Sequence, residues 1–100
     1  MKILWSEPAE LDLDDLFDYI ARDSPVYAER FVDRIIDAVD KLIEHPRIGR
    51  AVPEGDSEHV RELVVQDYRV IYAIDDDTIN VLAVVHGRTD LVSKEHKPWQ

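Results

Sequence analysis

The spacing of apolar and polar positions changes midway along the chain. Between residues 7 and 45 apolar side chains recur every three or four positions, the spacing that an amphipathic helix requires. From residue 61 to residue 91 they stand at every position or every second position, and many are β-branched or aromatic, which is typical of strands. The pattern predicts a helical first half and a β-rich second half.

Two helices are predicted after a short strand candidate at Lys2–Trp5. Ser6 is suited to cap the first helix, with Pro8 in the first turn, and Ser24-Pro25 starts a second helix in the same way. The second helix ends by His45-Pro46, because proline disfavours a helical residue before it. The two helices are joined by a very short turn, which predicts an antiparallel helical hairpin. Its expected buried positions are Ala9, Leu13, Leu16, Phe17, Ile20, Ala28, Phe31, Val32, Ile35, Val39, Leu42 and Ile43.

Three antiparallel strands are predicted between residues 61 and 86, with turns at Gln66–Asp67 and Asp75–Asp77. Residues 46–57 are predicted to form a loop because they hold two prolines and two glycines. Residues 92–100 are expected to be a tail or a partly ordered end. The order β-α-α-β-β-β predicts one α+β domain over residues 1–100, with the helical hairpin on one face of a small, mainly antiparallel sheet.

The last two strands are apolar on both faces, whereas a sheet with one wet face alternates apolar and polar residues. One predicted face carries Tyr68, Val70, Tyr72 and Ile74, and the other carries Arg69, Ile71 and Ala73. In the last strand we expect Ile79, Val81, Ala83 and Val85 to alternate with Leu82 and Val84. Two helices cover one face, so the other face needs the tail, a second copy or another protein.

Composition and charge narrow the class of protein. The formal net charge is −10, whereas a protein whose main partner is nucleic acid is usually basic. Residues 1–44 hold 12 acidic and 5 basic side chains, so most of the negative charge lies in the helical part. There is no cysteine, no apolar run of membrane-spanning length and no signal-peptide pattern, and we therefore expect a cytoplasmic protein.

Arginines are the strongest candidates for chemistry, because their planar forks match phosphate and carboxylate groups. The candidates are Arg50, Arg61, Arg69 and Arg88. They form either a cationic patch for a partner or ordinary strand-face arginines paired with Glu62 or Asp90. His86 is either a proton-transfer group for phosphodiester cleavage, with Glu62 as a second proton carrier, or a histidine hydrogen-bonded at a strand end.

No metal or cofactor site is predicted. Asp12, Asp14, Asp15 and Asp18 lack the pattern of a calcium loop and fit a solvated helix face better. The histidines other than His86 are isolated from one another in the sequence, at His45, His59 and His96. Tyr68 and Tyr72 share a strand face, where they either stack on bases or belong to a core or a partner contact.

Several of these segments, taken in order, resemble the ParE/RelE superfamily of bacterial toxins, and the ParE-like branch fits best. The segments are Trp5-Ser6-Glu7-Pro8-Ala9 with Asp12-Leu13, Tyr19-Ile20-Ala21, Ser24-Pro25, Pro46-Arg47-Ile48-Gly49-Arg50, Arg61-Glu62-Leu63, Tyr68-Arg69-Val70-Ile71-Tyr72 and Val85-His86-Gly87-Arg88. The resemblance covers almost the whole chain. It implies the toxin of a type II toxin–antitoxin pair, also called a plasmid stabilisation protein, which an antitoxin from the same operon wraps.

The resemblance implies different targets for the two branches. ParE-like members poison DNA gyrase without established catalytic residues, whereas RelE-like members cut mRNA in the ribosomal A site. RelE-like members are typically basic and commonly have a late tyrosine, but this chain is acidic, with no tyrosine after Tyr72 and no lysine from residue 42 to 93. We therefore expect a gyrase-binding toxin. The alternatives are a metal-independent, RelE-like ribosome-dependent mRNA endonuclease and a non-toxic member that only binds an antitoxin.

The expected site residues follow from these alternatives. The expected target- or partner-binding residues are Arg50, Arg69, Arg88, Tyr68, Tyr72 and Val84, and a nuclease would use His86, Arg88, Arg61 and Glu62. The antitoxin is expected to lie across the uncovered sheet face and along the hairpin, with apolar anchors on Val64, Tyr72 and Val84. Its basic residues should meet the Asp12–Asp18 face.

Overall fold

The computed structural model describes residues 1–55, 57–92 and 97–100. The elements are β1 (Lys2–Trp5), α1 (Glu7–Ala21), α2 (Pro25–Asp40), β2 (Arg50–Ala51), β3 (Val60–Val65), β4 (Tyr68–Asp75) and β5 (Thr78–His86). A 3₁₀ turn, Lys41–Ile43, extends α2. The expectation that residues 46–57 form only a loop was wrong, because β2 lies within them and pairs with β3.

The strands form one sheet in the order β1-β5-β4-β3-β2. β1 runs parallel to β5, and the other pairs are antiparallel. The predicted α+β fold, with two helices on a mainly antiparallel sheet, is therefore confirmed. Gln66 and Asp76 lie in the two hairpin turns at φ 52° and 51°, in the left-handed region. Aspartate tolerates this region better than most residues do.

The two predicted helix caps are confirmed. The Ser6 hydroxyl accepts a hydrogen bond from the Ala9 amide, and the Ser24 hydroxyl accepts one from the Tyr27 amide. Each satisfies an amide that would lack a helical partner. A proline stands in the first turn of each helix, where its missing N–H costs little.

The main core lies between the helices and the sheet. Its buried members are Ala9, Leu16, Phe31, Ile35, Val39, Leu42, Val65, Val70, Tyr72, Ile79, Val81 and Val84. The predicted helical positions mostly agree, but Ile43 was wrong: 46% of it is exposed. It belongs to the 3₁₀ turn, whose three residues per turn rotate its side chain away from the face that α2 buries.

A bulge in β5 reverses the expected alternation of the last strand. Tyr72 pairs with Val81 and Ile71 with Ala83, so Leu82 is the extra residue. Beyond it Val84 joins the helix-side core, and Ala83 belongs to the opposite face. The expectation that Ala83 shares a face with Ile79 and Val81 was therefore wrong.

Side chains at the start of α1 form hydrogen bonds with backbone groups of β5 around this bulge, beyond the β5 residues that pair with β1. Ser6 Oγ donates to the Leu82 carbonyl at 3.2 Å, and the Val84 amide donates to Asp12 Oδ2 at 2.9 Å. Asp12 therefore binds the sheet. The interpretation of Asp12 as part of a solvated face was wrong.

The second face of the sheet has a smaller core of its own. It consists of Val52, Val60, Ile71, Ala83 and Leu91, with Trp99 and three strand residues packed against it. Val52 before β3 and Leu91 and Trp99 after β5 therefore pack on this face, and Trp99 belongs to the predicted tail. The predicted tail includes residues 93–96, which lie outside the described residues. No helix in the described parts of the chain is long and apolar enough to cross a membrane.

Candidate functional site

A network of ion pairs lies on the second sheet face, beside its apolar cluster. Arg69 on β4 and Glu62 on β3 expose 8% and 0% of their side chains. Arg69 contacts Glu62 Oε1 at 2.6 Å and Glu54 Oε1 at 2.7 Å. The other carboxylate oxygen of Glu62, Oε2, lies 2.6 Å from Arg50 Nη2. The two arginines and the two glutamates therefore neutralise one another.

The guanidinium group of Arg69 is fully used inside the protein. Nε and Nη2 donate to Glu62, Nη1 and Nη2 donate to Glu54, and Nη1 also donates to the Thr89 carbonyl. These five contacts match the five N–H groups of an arginine. The hydrogen bonds from Arg69 hold the pKa of Glu54 below its usual value, and the bonds to Glu54 first and to Glu62 next raise the pKa of Arg69.

Two of the predicted contact arginines therefore have internal roles. Arg69 is 7% exposed and lies among its carboxylates, so it is a structural ion-pair partner in the folded chain. Arg50 also pairs with Glu62, but 63% of its side chain stays exposed. The interpretation of these residues as strand-face arginines paired with Glu62 applies fully to Arg69 and in part to Arg50.

The hydroxyl group of Tyr72 holds the loop that leads into β2 through two hydrogen bonds. The Tyr72 hydroxyl donates to the Pro46 carbonyl at 2.8 Å and accepts from the Gly49 amide at 3.2 Å. Arg61 Nη1 donates to the Gly49 carbonyl at 2.7 Å. A Cβ at residue 49 would lie 2.5 Å from the Glu62 carbonyl oxygen and 2.7 Å from the Tyr72 hydroxyl, so glycine is required here.

Tyr72 and Val84 lie under the helices, and the expectation that they face a partner across an open sheet face was wrong. Tyr72 is 0% exposed and Val84 6% exposed, both within the helix-side core. Burial raises the pKa of the Tyr72 hydroxyl. Of the three proposed apolar anchors only Val64 is exposed, at 59%.

The end of the sheet carries a row of aromatic rings. Tyr27, Phe31, Tyr68 and His86 meet edge to face in that order, with ring centroids 5.3–6.1 Å apart. The row borders a shallow cavity of about 480 Å³ lined by Val64, Gln66, Asp67, His86, Gly87 and Arg88. Burial chiefly, and then the nearby Tyr19 and Asp67, raise the pKa of Tyr68. Tyr68 is thus partly a core residue, whereas His86 and Arg88 are exposed.

The residues that a nuclease would use are not brought together. His86 is level with Tyr68 and Val65 in the sheet, whereas Arg61 is level with Tyr72. The four-residue offset along β3 corresponds to roughly 13 Å. Glu62 is buried under two arginines, and His86 Nδ1 accepts the Arg88 amide at 3.2 Å. Of the predicted set, His86 and Arg88 are exposed and hydrogen-bonded to each other.

The described residues offer no metal centre. No group of three or more histidine, cysteine, aspartate or glutamate side chains within them is arranged to hold an ion. His45 and His59 are exposed, and His96 lies outside the described residues.

Two features were missed from the sequence. Glu54 completes the shell around Arg69 from a loop fifteen residues away, and nothing in its own segment distinguishes it. The exposed pair of Ile43 and Ile48, 46% and 61% accessible, was not singled out. The second could have been found, because Ile48 stands between two arginines in a loop bounded by Pro46 and Pro53.

Comparisons with known proteins agree over most of the chain. A family model described as the ParE toxin of the type II toxin–antitoxin system parDE matches residues 3–91. Y4kP of Sinorhizobium fredii, named as a candidate toxin, is 40% identical over 98% of this chain and 92% of its own length. Toxin RelE2 of Caulobacter vibrioides is 33% identical over 86% of this chain and 94% of its own.

Solved structures show the same fold at lower identity. A structure of the chromosomal ParDE toxin–antitoxin system from P. aeruginosa has a chain with a TM-score of 0.72 and 24% identity, covering 86% of this chain and 95% of that one. The toxin–antitoxin complex RelBE2 from Mycobacterium tuberculosis has a chain with a TM-score of 0.61 and 23% identity, covering 85% and 95%. At these identities the likeness concerns the fold.

Proposed function

The chain belongs to the ParE toxin family and is the toxin of a type II toxin–antitoxin system; from this premise we propose that it inhibits DNA gyrase by binding it, in the cytoplasm. The observation that carries the proposal is the internal use of its arginines. Arg69 pairs with Glu62 and Glu54, and Arg61 donates to a backbone carbonyl. Cations held in this way are not available to a phosphodiester transition state.

The net charge also favours gyrase inhibition over mRNA cleavage on the ribosome. A ribosome-dependent nuclease must approach a surface rich in RNA phosphate, to which basic proteins bind through counterion release. A chain of formal net charge −10 is repelled by that surface. Inhibition by binding a protein target requires only a complementary patch.

Cleavage of mRNA on the ribosome is the second candidate. The 33% identity to a protein named RelE2 favours it, and His86 beside Arg88 is the pair that could serve it. His86 supplies a proton-transfer group and Arg88 a cation for the developing charge.

The two functions separate in one induction experiment. The toxin is expressed from a tight promoter in a bacterial host without antitoxin, and plasmid supercoiling and mRNA 5′ ends are followed over the first minutes. Gyrase inhibition predicts relaxed plasmid and DNA damage before any change in mRNA. Codon-dependent mRNA cuts with unchanged supercoiling would reject the gyrase proposal.

Substitutions at the end of the sheet give a second test. His86→Ala should leave toxicity within a few-fold, because binding needs no proton transfer, whereas a nuclease would lose roughly 10²–10⁴-fold. Arg88→Ala should weaken a binding toxin, since Arg88 is exposed beside Val64 on the shared cavity. Toxicity is measured as colony formation after induction, with soluble protein quantified for each variant. A nuclease-sized loss in soluble His86→Ala protein contradicts the binding proposal.

The antitoxin is proposed to bind along the outer surface of the helical hairpin. Leu11, Tyr19 and Val26 expose 55–64% of their surface there, among the acidic residues of α1 and α2. A basic amphipathic segment fits such a surface. Tyr72 and Val84 have no part in this contact, since both are buried.

Binding of the antitoxin should raise the thermal midpoint of the toxin, because a ligand of the folded state alone stabilises it by mass action. The product of the adjacent gene is added to purified toxin, and melting is followed by circular dichroism. Tyr19→Asp together with Leu11→Asp should reduce the rise, whereas Val64→Asp, on the sheet, should not. An unchanged midpoint with excess adjacent product would remove the case for that protein as antitoxin.

A further inference from the structure

The loop between the 3₁₀ turn and β2 presents an exposed surface formed by His45, Pro46, Arg47, Ile48 and Arg50, called the loop surface below. Ile48 is 61% exposed, and the cavity that it lines with residues 44–47 has a volume of about 490 Å³. Ile43, 46% exposed, lines a second shallow cavity that shares Glu44 with the first. The two isoleucines thus line cavities that share Glu44, and exposed apolar patches mark interaction sites.

The charge of the loop surface differs from that of the rest of the chain. Residues 45–53 contain two arginines and neither aspartate nor glutamate, in a chain of formal net charge −10. Arg47 is exposed and takes part in none of the ion pairs found in the described chain. Arg50 pairs with Glu62 but keeps 63% of its side chain accessible. The surface thus combines the exposed Ile48 with two accessible cations, and the exposed Ile43 lies beside it.

The backbone of the loop surface is tied by hydrogen bonds within the chain. Tyr72 binds Pro46 and Gly49, Arg61 binds Gly49, and the Ile48 amide donates to the His45 carbonyl at 3.1 Å. Arg50 is then fixed by its strand pairing with Glu62. A loop ordered in advance loses little conformational entropy on binding, which favours affinity.

We propose that the loop surface docks an acidic, partly apolar segment of the toxin's protein target. Ile48 and Ile43 would contact its apolar side chains, while Arg47 and Arg50 would pair with its carboxylates. The inference rests on the proposed function, inhibition by binding a protein, and assigns the contact to a definite surface. A nucleic acid fits less well, because its continuous phosphate charge would meet the acidic remainder of the chain.

A matched pair of double variants tests the loop surface. Arg47→Glu with Ile48→Asp changes its charge and removes its apolar contact. Lys2→Glu with Val92→Asp makes the same charge change outside both the loop surface and the helical hairpin, and Val92 is 62% exposed. The first should weaken inhibition of purified gyrase supercoiling by at least about tenfold, as loss of a binding hot spot does, and the second by less than about twofold. Equal inhibition by wild type and by the loop variant overturns the inference.

Four further readouts assign every other outcome. Melting curves and capture by the antitoxin check the fold, and Arg47→Glu alone replaces the double variant if that variant melts early. If wild type arrests growth without inhibiting gyrase, the gyrase proposal fails and the loop surface is judged by growth arrest in the same variants. Absence of growth arrest by the wild type overturns both the gyrase proposal and the loop-surface proposal.

The last readout is fluorescence anisotropy with a labelled DNA duplex and an RNA hairpin. If the wild type binds either nucleic acid and the loop variant does not, the proposal of a protein partner is overturned.

Discussion

Replacing Arg69 with alanine should lower the free energy of unfolding by about 3–5 kcal/mol, the cost of leaving a buried charge without its partner. Glu62 exposes none of its side chain and would keep only Arg50, while Glu54 would lose both of its bonds from Arg69. A loss of this size is a large fraction of the total stability of a small domain. Urea unfolding followed by circular dichroism measures it.

Controls separate the network from the arginine itself. Arg34→Ala, on the exposed face of α2, should change stability by less than about 0.5 kcal/mol, as exposed substitutions do. Arg69→Met combined with Glu62→Leu should be less destabilised than Arg69→Met alone, because an apolar pair replaces the buried charge pair. A double variant as unstable as the single one would show that packing, and not the unpaired carboxylate, sets the cost.

The same network predicts a loss of stability in acid. Arg69 lowers the pKa of Glu54 in the folded state below the ordinary value of 4.5, so the folded protein binds the proton less readily than the unfolded chain. The resulting stabilisation is complete above pH 4.5 and disappears as the pH falls through the lower, folded-state pKa. The Glu54→Gln variant should lose less stability than wild type as the pH falls below 4.5, because the folded-state pKa of Glu54 lies below that value.

The parts of the fold that were predicted from sequence depend on local signals. Ser6 and Ser24 cap helices through bonds to residues three positions on, and the turn at Asp76 needs only a residue that tolerates positive φ. Spacing alone then identified most of the helical core. Ile43 was missed because a change from α to 3₁₀ geometry rotates a side chain without altering the sequence pattern.

The parts that were not predicted depend on distant segments. The β5 bulge follows from its register with β4 and from Asp12, 72 residues away, which accepts the Val84 amide. Without that register, Val84 and Ala83 are assigned to the wrong faces. Arg69 was correctly placed on the face opposite Tyr68, Val70 and Tyr72, but the carboxylates that surround it come from Glu62 and Glu54. A strand pattern cannot distinguish an arginine that faces solvent from one that faces such a pair.

Replacing Tyr72 with alanine should cost about 3–5 kcal/mol, the usual loss for a large aromatic residue truncated in a core. Tyr72 is 0% exposed and lies in the helix-side core, so its removal leaves a cavity in that core. Tyr72→Asp adds a buried charge and should prevent folding. Antitoxin binding by Tyr72→Asp would then fail through unfolding, and circular dichroism of the free toxin distinguishes this from a lost contact.

Tyr72→Phe separates the ring from the hydroxyl and connects stability with the proposed contact. It keeps the packing but removes the bonds to the Pro46 carbonyl and the Gly49 amide, which should cost about 1–3 kcal/mol. Tyr19→Phe, at a tyrosine that is 64% exposed, should change stability little. Hydrogen exchange of the Gly49 amide should accelerate in Tyr72→Phe while amides of β4 and β5 remain protected, because only the loop is released. If ordering of the loop surface contributes to target binding, this folded variant should inhibit the target less than Tyr19→Phe does. Unchanged Gly49 exchange would show that Arg61 and the glycine backbone hold the loop without the hydroxyl.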